Sequence, residues 1–146
     1  MNNGFLKIFK KTRFGAGQEG SISVEFVILF PLLALIVVAM MEFGYLWFVR
    51  HTLTNASREG ARAAVVFYTG GERATWAQNT ARSTVDTYLQ HIHFPGTWTV
   101  IINPGASTGD LTTVTVTTPN GLMLLDKFLP SYRGVIVAGE TTMKME

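Results

Sequence analysis

Cysteine is missing from this chain of 146 residues, which excludes disulfide staples, thiol nucleophiles and zinc–thiolate sites. Charge is scarce, with Asp, Glu, Lys and Arg making up 15% of the chain, and the few carboxylates show no pairing pattern suited to general acid–base work. Histidine occurs three times, as His51, His91 and His93. Only the last two are close, and a His-x-His pair without a third ligand reads as surface histidines at a helix end rather than a metal site. Ser57, Ser83, Ser107 and Ser131 stand outside any nucleophile elbow, and no glycine loop for phosphate is present. No enzyme activity, no metal and no cofactor are expected. The net charge of +2 comes from dispersed basic residues whose densest group, Lys7, Lys10, Lys11 and Arg13, precedes an apolar run. A topology signal explains that group, so nucleic acid is not an expected partner.

What the sequence does have is that run. Residues 20–49 read GSISVEFVILFPLLALIVVAMMEFGYLWFV. The uncharged part, residues 26–41, extends to residue 49 if Glu42 lies near the far interface, which matches the roughly 20 residues that a bilayer core requires. The basic group before it leaves the amino terminus in the cytoplasm, against the weaker counter-signal of Arg50, Arg58 and Arg62 beyond it. A cleaved secretory signal would be shorter and end in small residues, whereas this run ends in the aromatic cluster of residues 43–48, suited to a membrane interface. The expected organisation is a basic cytoplasmic leader over residues 1–20, a transmembrane helix over 21–49 and an exported domain over 50–146. Roughly 95 residues without staples make one modest core, which needs help from packing, membrane or neighbouring subunits.

Three residues interrupt the apolar pattern. A carboxylate at the centre of a membrane helix costs about 2.5–3.5 kcal/mol, so Glu25 either snorkels to the headgroups or finds a partner. Pro31 removes one backbone hydrogen bond inside the helix, and a bend over residues 27–31 is expected. Glu42 follows about 25 Å beyond Glu25 along a helix, near the opposite interface beside Tyr45 and Trp47.

Past residue 49 the pattern is that of a small α+β domain. Leu53, Ala56, Gly60, Ala63, Ala64 and Phe67 recur at three- and four-residue steps, a stripe of small groups on which the domain's own sheet can pack closely. Gly70 and Gly71 break this helix. Residues 72–90 read as a second, with Trp76, Ala77, Ala81, Val85, Tyr88 and Leu89 on its apolar face and Pro95-Gly96 ending it. A period of two then takes over around Val100 and Ile102, around Val114 and Val116, and around Val135, Val137, Met143 and Met145, which predicts three half-buried strands. Residues 103–110 form a turn between the first two, and residues 119–134 are too long for a hairpin and should hold a short helical or irregular piece near residues 122–129. The predicted fold is α+β, a long amino-terminal transmembrane helix continuing into a small exported domain whose three-stranded antiparallel sheet packs on helix.

Gly-Ser-Ile-Ser-Val-Glu-Phe from Gly20, then Phe30-Pro31-Leu32-Leu33, Glu42-Phe43-Gly44 and Asn55-Ala-Ser-Arg-Glu-Gly-Ala-Arg-Ala-Ala64 resemble, in order, the characteristic blocks of the TadE-like family, minor pilins or pseudopilins of tight-adherence pili. The closing Thr142-Met-Lys-Met-Glu146 also resembles that family's last strand. The resemblance implies cleavage by a prepilin peptidase after Gly20, directed by Gly20, Ser21, Glu25 and Phe26, with the helix retained. It implies that the new amine on Ser21 is neutralised by Glu25 of a neighbouring subunit, a role the spacing only permits. Subunit packing would fall on Glu25, Pro31, Glu42 and Gly44. The implied partners are the prepilin peptidase, the major pilin, other minor pilins or pseudopilins and the inner-membrane assembly platform. The implied place is the bacterial inner membrane, single-pass, with the amino terminus cytoplasmic and the carboxyl-terminal domain periplasmic, and incorporation into an extracellular pilus stays open. So does a second reading, an uncleaved single-pass accessory or sensor subunit with a ligand-binding exported domain.

Overall fold

The structure is a computed structural model that describes residues 18–66, 70–105, 107, 109–119, 121–124, 127 and 135–145, with side chains from residue 23 onward. Residues 1–17 of the leader and Phe67 therefore lie outside the described residues, as does most of the segment expected to be irregular before the third strand. The elements run α1 Gln18–Ala64, α2 Arg73–His91, β1 Thr99–Asn103, β2 Leu111–Thr118 and β3 Val137–Lys144. Helix α1 runs unbroken through Pro31. By internal contacts the chain divides into two units, Met1–Val38 and Ala39–Glu146.

The first unit, as described, is the apolar part of α1. Its side chains are exposed on every side, among them Val27 at 68%, Ile28 at 69% and Leu35 at 66%. A helix that is apolar all round finds stability only inside a larger apolar phase. Phe26 and Phe30, one turn apart, bring their ring centroids to 5.6 Å, the expected contact at an i, i+4 spacing.

The second unit is the α+β domain. Alternating Thr and Val in β2 suit a pleated, half-buried surface, and Thr112, Val114, Val116 and Thr118 turn inward while the residues between them face out. The sheet is antiparallel in the order β1-β2-β3, with Val100 opposite Val116 and Ile102 opposite Val114. On the outer face Thr113 and Thr142 share a hydroxyl hydrogen bond of 2.9 Å, a cross-strand pair that holds register. Against the inner face lie Val49, Leu53, Ala56, Ala61 and Ala64 of α1 and Ala77, Ala81, Val85 and Leu89 of α2.

Small groups set how closely these layers approach. A Cβ on Gly60 would sit 2.6 Å from Val85 Cγ2, and one on Gly139 would collide with the α1 backbone at Leu53 and Thr54. The small-residue stripe thus packs inside its own domain. Ser57 completes the joint: fully buried, it donates to Thr54 O at 2.8 Å and lies 2.8 Å from the Thr141 hydroxyl on β3.

Helix α2 stops at His91, four residues before the proline expected to end it. His93 takes φ 53°, and its N–H donates to Gln90 O while that of Phe94 donates to Leu89 O, both at 3.0 Å. This is a Schellman closure, which satisfies the last carbonyls and folds Phe94 back onto the core beside Leu89. The residue in the left-handed position is a histidine, so no glycine marked the end.

Candidate functional site

Chemistry is sparse in the described structure, and what can carry function is distributed along α1. In the first unit Glu25 is exposed, and Phe26 is 62% exposed beside it. Gly20 and Ser21 lie within the helical span of α1; their surroundings are not described. Pro31 is exposed and helical. Helix α1 is long and apolar enough from Ser23 to Ala64 to cross a membrane, with a best-window mean hydropathy of 2.7. The carboxylate of Glu25 and the proline ring are thus exposed on an otherwise apolar stretch of helix.

The two remaining α1 residues differ sharply. Gly44 is exposed, and a Cβ built on it would meet nothing within 4 Å. Unlike Gly60 and Gly139, it serves no close approach inside its own chain. Glu42, only two residues earlier, is 3% exposed. Its Oε1 accepts the Met123 N–H at 2.7 Å, and its Oε2 accepts the Leu124 N–H at 3.1 Å. A carboxylate held by two backbone donors is a strong clamp, and it fixes the segment between β2 and β3 to α1. The expected setting for Glu42, a membrane interface beside Tyr45 and Trp47, did not include this intrachain bond.

Beyond Glu42, α1 presents a depression of about 360 Å³ lined by Trp47, Arg50, His51, Thr54 and Arg58. A second, of about 570 Å³, lies between the helices and is lined by Glu59, Ser83, Thr84, Thr87, Tyr88 and His91. Its hydroxyls are partly spent on the helix, since Thr84 donates to Thr80 O and Thr87 to Ser83 O. Among the described residues no group of three or more His, Asp or Glu could hold a metal ion. His91 and His93 are both exposed at the end of α2, where the second of them shapes the helix stop.

Among the described residues one helix is long and apolar enough to cross a membrane, which points to a membrane-anchored protein with a small α+β domain. Residues 20–62 match the family described as TadE-like protein, and over that segment the chain is similar to it. The match ends within α1 and includes none of α2 or the sheet. No curated protein and no solved structure matches the chain. The TadE-like family is pilus-associated and structural rather than enzymatic.

Proposed function

We propose that the protein is a minor pilin or pseudopilin of a tight-adherence pilus, processed by a prepilin peptidase after Gly20 and working through contacts rather than chemistry. The observation that carries the reading is the uncovered apolar helix bearing Glu25 near its start, five positions after Gly20. Lipid covers such a surface before assembly and neighbouring helices cover it afterwards. The Ser21 amine released by cleavage lies about one helical turn from Glu25, so Glu25 of one subunit can neutralise the amine of the next and set their axial offset. Gly44, with open space where a side chain would stand, gives an adjoining helix room to approach, and Pro31 gives the stalk a point at which to curve.

In this reading residues 1–20 are a cytoplasmic leader, residues 21–49 the inner-membrane span and residues 50–146 a periplasmic domain. Its partners are the peptidase, the major pilin, other minor pilins or pseudopilins and the assembly platform. The first test is the mass of the protein recovered from cells. The native chain is expected to begin at Ser21, and Gly20→Leu, which places a bulky group at the cleavage position, is expected to keep its leader. A native chain beginning at Met1, or normal cleavage of the variant, rejects the processing step and leaves a permanently anchored subunit.

A further inference from the structure

We propose that the α1 face carrying Trp47, Arg50, His51, Thr54 and Arg58 is a binding site for the phosphate headgroup of an anionic phospholipid. The inference rests on the membrane-anchor reading and adds a specific lipid contact to it. The five residues fall at offsets of three, four, seven and eleven, which places them in one row along the helix. They line a single depression of about 360 Å³, and no carboxylate is among them. Two guanidinium groups and an imidazole therefore share one depression whose lining holds no carboxylate. Guanidinium matches phosphate with two parallel N–H donors.

Position along the helix selects a lipid rather than a free anion. Trp47 is 66% exposed, and the surface just before it is apolar and open, with Met40 at 68%, Met41 at 55% and Phe43 at 68%. An indole with an apolar side and one N–H belongs at the boundary between acyl chains and headgroups. Arg50 stands about 5 Å further along the axis, at headgroup depth. Arg58 lies higher, but helical side chains lean toward the amino terminus, so its long stem points back toward Trp47. Thr54 donates its hydroxyl to Arg50 O at 2.9 Å, so it lines the floor and leaves the cations to bind. The groove between the helices contains Glu59 and would repel the same headgroup.

The test uses the full chain in neutral detergent with equimolar phosphatidylglycerol and phosphatidylcholine, and native mass spectrometry to count each adduct. Two cations near an anionic headgroup predict a preference of about tenfold for phosphatidylglycerol. In Arg50→Gln/Arg58→Gln, whose helix content is checked by circular dichroism, the ratio should fall to about one. Equal binding by the native chain overturns the proposal, as does an unchanged preference in the double variant. Displacement of phosphatidylglycerol by millimolar inorganic phosphate would make this a free-anion site and overturn it too. So would loss of cross-links to pilus subunits in the double variant with the lipid ratio intact, which assigns the face to a protein. Flotation with vesicles tests the anchor separately: a chain that does not float defeats the anchor reading whatever the lipid ratio in micelles.

Discussion

Glu42 shows what one side chain does in this protein. Its carboxylate holds the Met123 and Leu124 amides, so Glu42→Ala leaves two donors without an acceptor and should destabilise the domain by about 1.5–3 kcal/mol. Hydrogen exchange on the full chain in detergent checks this locally: the Met123 and Leu124 amides should lose protection in Glu42→Ala and keep part of it in Glu42→Gln, while β2 stays protected. Unchanged exchange at both amides would remove the clamp. The bond was not legible in the sequence, because its donors lie 81 and 82 residues away in a segment with no regular pattern. Spacing along a helix gives depth and facing, and it does not say which distant loop returns to meet a residue. Gly60 and Gly139 contrast in the same way. The first stood in a visible stripe of small residues, whereas the second meets α1 only because β3 folds across it.

The start of α2 contains a local conflict. Arg73 occupies its first position, no acidic residue stands in the first turn, and Glu72 makes no side-chain cap. A cation there opposes the helix dipole. Its Nε and Nη2 are also buried without a hydrogen-bond partner, which costs about 1–3 kcal/mol when a donor is left unsatisfied. Arg73→Met keeps the stem and removes both penalties, so the variant should be more stable by about 1 kcal/mol. For a domain of this size that corresponds to a rise in melting temperature of about 4–8 °C. A melt of the full chain in detergent measures it, and a lower melting temperature would mean that the guanidinium has a stabilising role. The elements themselves were largely legible. Three- and four-residue steps marked the apolar face of α2, alternation of Thr and Val marked β2, and both patterns come directly from backbone geometry. The end of α2 was not legible, since its left-handed residue is His93 and a Schellman closure advertises itself mainly through glycine.

At the scale of the whole molecule, the chain joins an uncovered apolar helix to a domain with its own core, and these demand different surroundings. The α+β class and the membrane-length run followed from the sequence, because hydrophobic period and run length are averages over many residues. By internal contacts the compact unit begins at Ala39, and Glu42 and Val49 are buried within it. The two demands allow anchoring and assembly to be separated experimentally at Glu25. Lipid tolerates this carboxylate at a cost of about 2.5–3.5 kcal/mol if it is held near the bilayer centre and less near an interface, so Glu25→Ala can only ease insertion. Assembly, as proposed, uses the same carboxylate to neutralise the neighbouring subunit's amine. In cells Glu25→Ala should therefore leave the membrane-bound amount of protein near the native level, while cross-links to other pilus subunits and surface piliation both fall. Glu25→Asp, which keeps the charge on a shorter stem, should restore part of both. If piliation stays native in Glu25→Ala, the carboxylate serves only to reach the headgroups, and the axial offset between subunits must be set by packing along the apolar helix.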